Sequence, residues 1–273
     1  MCYNVWYWYQ LIKAALDRGF RKFIIGIGGS ATNDAGIGML KALGARFIKE
    51  DGSDLEDGIS SLLKLTAIDV SGLDARLTGA IFTIACDVDN PFIGERGATA
   101  IFGPQKGVRD DQVIHFDNCL KHFADIVEQQ FSIRLHDYQG AGAAGGLGGA
   151  LIAFLKGTFH AGIDIVIDAV QLQAHLAAAQ LVITGEGKSD LQTLHGKAPL
   201  GVAKAAALAH IDAALLSGDI DSTAKPALQK YFSVVETLVD EEITTQQAMQ
   251  EPARFIRLKT KRIFELYIQK GVD

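Results

Sequence analysis

Three short stretches of the sequence combine glycine with carboxylate, amide or hydroxyl side chains, a mixture that suits phosphate and metal–phosphate ligands. They comprise Gly28, Gly29, Ser30, Asn33 and Asp34; then Asp87, Asp89 and Asn90; and finally Gly185, Glu186, Gly187 and Asp190, with Lys188 and Lys197 nearby. Glycine lets the backbone approach a ligand closely, and Mg²⁺ prefers carboxylate and phosphate oxygens. The chemistry indicated is phosphoryl transfer, which needs a cation near the moving phosphate and an oriented nucleophile.

The elements that position these stretches are strands, because an apolar run precedes each of them. The runs cover residues 23–27, 80–86 and 181–184, and residues 37–43 then show helical spacing after the first glycine turn. Ligands of open α/β sheets bind outside the carboxyl ends of the strands, and a helix N-terminus offers unpaired N–H donors to an anion. We therefore expect the three stretches to face a ligand. A tight turn that binds nothing is the alternative for the first of them.

Each candidate side chain also has an explanation that involves no ligand. Asp87 suits a turn or cap position, Asp190 suits the cap of a turn at Thr193, and Lys197 suits a solvated lysine before a helix. His195 is the one histidine of seven that lies within a candidate stretch, and a structural role fits it better than a catalytic one. Both interpretations stay open on the residues alone.

Composition indicates an ordinary globular protein of one large or two average domains. The chain has 273 residues, of which 48% are hydrophobic and 21% charged. Its net charge of −6 gives no basic field for nucleic acid or an anionic membrane. The three cysteines are widely spaced and no apolar run approaches the length of a membrane span. We expect a cytoplasmic protein with neither nucleic-acid nor membrane partners.

The order of predicted elements favours an α/β fold. Strands alternate with helices along the chain, which is typical of parallel sheets, and residues 110–130 form a long amphipathic pattern. Residues 140–149 are rich in glycine but also contain alanine and leucine, whereas a linker would be polar. We interpret them as backbone packed closely against other backbone or against a ligand.

A dinucleotide-binding oxidoreductase is one alternative function. Gly26, Gly28 and Ala31 fit a loose version of the dinucleotide fingerprint, with Glu50 or Asp51 at the distance of a ribose-binding acid. The fit is weak, because a polar run occupies the place where a packed helix should begin. The phosphate-binding loop of nucleotide hydrolases, G-x-x-x-x-G-K-[ST], does not occur.

Five ordered blocks resemble the glycerate kinases of the bacterial type I family. They lie at residues 26–36, 85–91, 97–107, 140–148 and 181–203. The resemblance implies ATP-dependent phosphorylation of D-glycerate to 2-phosphoglycerate with Mg²⁺. It also implies a Rossmann- or flavodoxin-like parallel-sheet domain, residues 1–39 and 179–273, and an inserted second α/β domain with a mixed sheet, residues 40–178. A homodimer is a further expectation.

The resemblance and the clustering at strand ends together suggest a role for each candidate residue. Asp190 would accept the glycerate hydroxyl proton and Lys197 would neutralise the transferring phosphoryl group. The residues expected to bind substrate or phosphate are Gly28, Gly29, Ser30, Asn33, Asp34, Gly185, Gly187 and Thr193, and the expected metal carboxylates are Glu186 and Asp87.

The start of the chain departs from the family. Members open upstream of the helix that begins near Leu11, with a strand carrying an Asp-Ser-Phe-Lys-Gly-Ser motif that this sequence lacks. Residues 1–10 are instead strongly aromatic, as in an aromatic cap, an edge strand or a foreign start on a truncated gene. The parallel sheet is therefore expected to be incomplete. This leaves a second alternative, a non-catalytic protein that folds and binds nucleotide or a partner.

Overall fold

The computed structural model describes residues 5–270, with side chains from residue 10 to residue 269 except that of residue 195. Contacts divide the chain into two compact units, the first ending at His160 and the second beginning at Ala161. None of the helices within the described range is long and apolar enough to cross a membrane.

The first unit is built on a parallel sheet with a separate β-hairpin. Its elements are α1 (Val5–Asp17), β1 (Lys22–Gly26), α2 (Ile37–Ala42), β2 (Arg46–Lys49), β3 (Leu65–Asp69), β4 (Ile81–Ala85), α3 (Ala98–Phe102), α4 (Asp110–Phe131), α5 (Leu147–Leu155) and β5 (Thr158–His160). The sheet has the order β1-β4-β5, and β2 pairs antiparallel with β3. Short 3₁₀ helices at Ile59–Lys64 and Pro104–Lys106 complete the connections that matter for the site.

Buried and exposed side chains alternate along the parallel strands, and the buried ones form the core face of this sheet. Ile25 on β1 lies beside Ile84 on β4, and both are buried together with Phe82. Phe23 stacks on Phe82 with ring centroids 4.8 Å apart. Because successive side chains of a strand point to opposite faces, this buried face fixes the register and therefore the place where β1 ends.

The glycine-rich stretch packs backbone against backbone, as one of the two sequence interpretations holds. Residues 140–150 are all buried. A Cβ atom on Gly145 would lie 2.0 Å from the carbonyl oxygen of Thr32, and one on Gly142 would lie 2.0 Å from that of Pro91. Gly145 also has a φ of +70°, which favours glycine. Because Gly145 has no side chain, the stretch packs directly against the loop that follows β1.

The second unit is a three-layer α/β structure. Its elements are α6 (Gly162–Ala169), α7 (Leu172–Leu176), β6 (Leu181–Thr184), β7 (Lys188–Ser189), α8 (Ala198–Leu208), β8 (Asp212–Ser217), β9 (Asp219–Ile220), α9 (Lys225–Leu228), β10 (Val234–Thr237), α10 (Thr245–Gln250) and α11 (Pro252–Lys270). The main sheet is parallel with the order β10-β8-β6, and β7 pairs with β9.

The two faces of the main sheet in this unit bury different helices. Ala213 and Leu215 of β8 share a cluster with Ala206 of α8, whereas Ala214 shares one with Ile263 of α11. Since neighbouring residues of a strand face opposite sides, α8 and α11 cover opposite faces. Parallel sheets are characteristically covered on both faces, and the predicted α/β class with parallel sheets is confirmed.

The strand pairing and the first helix bear on the expectations from the sequence. β1 pairs in parallel with β4. Sequence spacing gave no information on which strands pair, and the division into residues 1–39 with 179–273 and residues 40–178 stays a prediction. Residues 1–4 lie outside the described range, but the chain is helical from Val5 onward, so an edge strand at residues 5–10 is wrong.

Candidate functional site

The first candidate stretch forms a loop that leaves β1 and enters α2. Gly28 and Gly29 are exposed, and Gly29 has a φ of +65° that favours glycine. Asp34 is buried, and its carboxylate accepts N–H bonds from Gly36 at 3.0 Å and Gly38 at 3.2 Å. Burial raises the pKa of Asp34, and those backbone bonds oppose the rise. The carboxyl group thus ties the loop to the start of the helix.

A lysine that was not among the residues predicted from the sequence, Lys106, holds the other side of this loop. Lys106 Nζ donates to Ser30 Oγ at 3.0 Å and to the Thr32 carbonyl at 2.7 Å. It ends the Pro104–Lys106 3₁₀ helix, which Gly107 closes with a φ of +86°. Burial lowers the pKa of Lys106 to about 8, against the opposing charge of Asp34.

Asn33 is fixed by one end of its amide only. Its Nδ2 donates to Thr99 Oγ1 at 3.1 Å, and Thr99 is fully buried on α3. Its Oδ1 is buried and receives no hydrogen bond from the described part of the chain. A buried acceptor without a hydrogen bond lowers stability. A hydroxyl group of a ligand, or a water molecule, could donate to this Asn33 oxygen.

Asn33, Asp34 and Lys106 line one cavity of about 480 Å³ within the first unit, whereas Gly28, Gly29 and Ser30 are not among the residues of its wall. The polar residues in its wall include Asn33, Asp34, Ser60, Ser61, Lys106 and Arg109. The guanidinium of Arg109 is paired with Asp111 at 3.0 Å. Asp87 follows β4, is exposed and does not line this cavity, so the structure does not bring the first and second candidate stretches into one pocket.

The second unit brings together a hydroxyl-rich carboxylate cluster at the end of β6. Glu186 Oε1 accepts from Ser189 Oγ at 2.9 Å and from Thr193 Oγ1 at 2.6 Å. Ser189 Oγ in turn lies 2.6 Å from Ser217 Oγ at the end of β8. All three hydroxyl-bearing residues are fully buried. The network therefore fixes one oxygen of Glu186 in place.

Asp190 and Lys197 lie next to each other in the same unit. Asp190 Oδ1 accepts from Gln192 N at 2.8 Å and Thr193 N at 3.3 Å, and Lys197 Nζ lies 3.5 Å away. Asp190 N donates back to Thr193 Oγ1 at 3.0 Å, which completes a capping box. The structural explanation for Asp190 is thus confirmed, and all these donors end on Oδ1.

Close packing explains Gly185 of the third stretch and Gly218 after β8, whereas a Cβ atom on Gly187 would meet nothing within 4 Å. A Cβ atom on Gly185 would lie 1.9 Å from the carbonyl oxygen of Leu216 on β8. A Cβ atom on Gly218 would lie 2.4 Å from the carbonyl oxygen of Gly187. The missing side chains let the backbone after β6 approach the end of β8 closely, and this approach already explains Gly185.

Metal binding by protein ligands alone has no site among the residues that the structure describes. No group of three or more His, Cys, Asp or Glu side chains there is arranged to hold an ion. Mg²⁺ often binds through one or two carboxylates together with substrate phosphates. The single fixed carboxylate of Glu186 fits that kind of site and does not fit a closed cage.

Apart from Asp87, the predicted site residues form two groups, one in each unit. Gly28 to Asp34 belong to the loop after β1, of which Asn33 and Asp34 line the cavity, and Glu186, Asp190, Thr193 and Lys197 form the cluster of the second unit. Lys106 is the residue that sequence reasoning missed. Its only signal was its position in a glycine-bounded turn of the 97–107 block, with no strand end beside it.

Comparison with known proteins gives consistent matches. The model of the glycerate kinase family matches residues 9–268. A glycerate kinase of Bacillus subtilis strain 168 is 44% identical over 93% of this chain and 66% of its own length. A glycerate 2-kinase of Escherichia coli K12 is 44% identical over 84% of this chain and 61% of its own length. The chain thus spans about two thirds of the length of these curated relatives.

A solved structure matches as well. The crystal structure of a protein assigned as glycerate kinase 2 from Salmonella typhimurium LT2 aligns with a TM-score of 0.76 at 40% identity. The alignment covers 94% of this chain and 69% of that one. The similarity therefore extends over nearly all of this chain, in sequence and in fold.

Proposed function

The chain belongs to the glycerate kinase family, and we propose that it serves the ATP-dependent phosphorylation of D-glycerate to 2-phosphoglycerate. The observation that carries this proposal is the family match over residues 9–268. The position of the new phosphate follows the relative from Escherichia coli, which is named a glycerate 2-kinase. Neither the dinucleotide oxidoreductase nor the non-catalytic alternative is favoured by this match.

Asp190 and Lys197 would carry the chemical step. The oxygen of the glycerate C2 hydroxyl bonds to the γ-phosphorus, the bond from that phosphorus to the bridging oxygen breaks, and ADP leaves. Asp190 takes the hydroxyl proton on Oδ2, because the described donors all end on Oδ1. Lys197, 3.5 Å from that carboxylate, neutralises charge on the transferring group.

The remaining predicted residues would divide between the two substrates. Gly28, Gly29 and Ser30 offer donors to D-glycerate, and Asn33 and Asp34 orient it. The loop from Gly185 to Gly187, with Thr193 behind it, would face the ATP phosphates.

Mg²⁺ would supply charge neutralisation between the phosphates when bound. Glu186 is the carboxylate best suited to it, since hydroxyl bonds already fix its Oε1, and Asp87 is the second candidate. A cytoplasmic location and a homodimer complete the proposal. The location rests on the widely spaced cysteines.

A phosphorus NMR assay tests the proposed reaction. The chain is incubated with ATP, Mg²⁺ and D-glycerate, and the phosphate esters are assigned by their proton couplings. We expect the ester at C2, where the phosphorus couples to one carbon-bound proton. An ester at C3 would overturn the proposed position, and hydrolysis of ATP without any ester would overturn the reaction.

A further inference from the structure

Lys106 is a partly buried cation whose hydrogen-bond partners are both neutral. Its ammonium donates to the Ser30 hydroxyl and to the Thr32 carbonyl. An ammonium has three N–H donors, so one remains beyond these two bonds. No carboxylate of the described residues forms an ion pair with it, although burying a charge is costly unless an opposite charge accompanies it. The arrangement calls for an anion.

The other charges in the cavity wall are already compensated or held by backbone. Arg109 is paired with Asp111 at 3.0 Å, and Asp57 is paired with Lys41 at 2.8 Å. The carboxylate of Asp34 accepts two backbone N–H bonds at its back. Lys106 is therefore the cation in this wall that has charge to offer a small ligand.

We propose that Lys106 forms the carboxylate subsite for the acceptor substrate, with its ammonium bound to the carboxylate of D-glycerate in the cavity of the first unit. This inference rests on the proposed function and adds a residue that the sequence prediction did not contain. Asn33 lies in the same wall with an unsatisfied carbonyl oxygen, and a substrate hydroxyl is the donor that such an acceptor needs.

The charge balance of the wall favours a monocarboxylate over the nucleotide phosphates. A triphosphate carries several negative charges and needs several cations or a metal ion around it. Here the Lys106 ammonium shares the wall with the buried carboxyl group of Asp34, whose charge acts on it and would repel a triphosphate more strongly than a single carboxylate. The Lys106 ammonium therefore suits a ligand with a single carboxylate.

The protonation of Lys106 gives the proposal a pH signature. Burial lowers its pKa to about 8, so the ammonium is mostly charged at neutral pH and loses its proton within a measurable range. Affinity for the anion should hold below that pKa and decline above it. Asp34, Asp57 and Arg109 line the same cavity, so Lys106→Arg is needed to isolate the lysine, since arginine stays protonated throughout.

Equilibrium calorimetry without a turnover reaction tests the subsite. D-glycerate, its neutral analogue glycerol, and ATP with Mg²⁺ are titrated separately into the chain and into Lys106→Gln, Lys106→Arg and Lys64→Gln. Lys64 is an exposed lysine at the end of the Ile59–Lys64 3₁₀ helix and does not line the cavity, which makes it the matched control.

We expect Lys106→Gln to weaken D-glycerate binding by about tenfold to a hundredfold, the range of one charge-assisted hydrogen bond. Binding of ATP should stay within about twofold, and Lys64→Gln should behave as the parent chain. Lys106→Arg should bind D-glycerate without the decline above pH 8 that the parent chain shows.

Several results would overturn the subsite. One is an unchanged affinity of Lys106→Gln for D-glycerate. Another is that Lys106→Gln loses ATP binding and not D-glycerate binding. The third is that the parent chain binds glycerol as tightly as D-glycerate. If Lys106→Gln does not fold, a flat pH profile of the parent chain overturns it. Binding through Lys106 without any phosphate ester would refute the proposed reaction alone, and an ester formed by Lys106→Gln with an unchanged KM would refute the subsite alone.

Discussion

Asp190 caps a turn and is also the proposed general base, two roles that the sequence left as alternatives. Its Oδ1 caps the turn through Gln192 and Thr193 and lies near Lys197. A capped carboxylate has a fixed orientation, which is what a general base requires. The cap therefore does not argue against the proposed catalytic role, and kinetic measurements can separate that role from the cap.

Replacing Asp190 by asparagine should affect kcat far more than folding. The amide oxygen can still accept the cap bonds, but it cannot take a proton from the substrate. We expect kcat to fall by about 10²- to 10⁴-fold, the usual contribution of a general base, with a thermal midpoint near that of the parent. The measurement is steady-state kinetics beside thermal unfolding.

The control for this variant is Asp221→Asn. Asp221 also caps a turn in the same unit, through Thr223 N at 2.9 Å, and no catalytic role is proposed for it. It should leave kcat unchanged. A kcat for Asp190→Asn within about tenfold of the parent would remove Asp190 from the chemical step.

Thr193 supports both carboxylates of the second unit. Its hydroxyl donates to Glu186 and accepts from Asp190 N, and the residue is fully buried. Valine has the same shape without these bonds, so Thr193→Val should lower the free energy of unfolding by about 1–3 kcal/mol. Urea unfolding measures this. Thr223→Val, which removes an exposed hydroxyl that bonds Asp221, should change it by less than about 0.5 kcal/mol.

At the scale of elements, the glycine stretch 140–149 packs against the loop whose Thr32 and Asn33 line the cavity. Gly145→Ala would place a methyl group against the Thr32 carbonyl, which itself accepts from Lys106. Adding the strain of a φ of +70°, we expect a loss of about 2–4 kcal/mol in the free energy of unfolding.

The same substitution should weaken D-glycerate binding, because the loop at residues 32–34 must shift. Urea unfolding and calorimetry check the two effects. Gly79→Ala is the control, since a Cβ atom there meets nothing within 4 Å. Equal stability of Gly145→Ala and Gly79→Ala would contradict the packing explanation.

The elements themselves were largely predictable, whereas their partners were not. The amphipathic pattern at residues 110–130 became α4, Asp110–Phe131, because apolar spacing directly reports the buried face of a helix. The pairing of β1 with β4 had no such signal, since an apolar strand carries no mark of its neighbour. Lys106 could not be predicted either, because its contacts with Ser30 and Thr32 join residues more than seventy positions apart in the sequence.

At the scale of the whole molecule, the two groups of site residues should respond to different substrates. Hydrogen exchange with mass spectrometry can follow each unit separately in one sample. We expect D-glycerate to slow exchange around residues 28–38 and 104–109, and ATP with Mg²⁺ to slow it around residues 185–200. The reverse pattern would exchange the substrates proposed for the two groups.

Glycerate-dependent formation of ADP is the measurement that tests the central claim most directly. It should be made on this chain and on the same chain joined to the part of the Bacillus subtilis relative that it does not match, since the alignment covers 66% of that relative. We predict ADP release that requires D-glycerate, in the joined protein at least, and that falls by about 10²- to 10⁴-fold in Asp190→Asn. No glycerate-dependent ADP from either protein would contradict the proposed function.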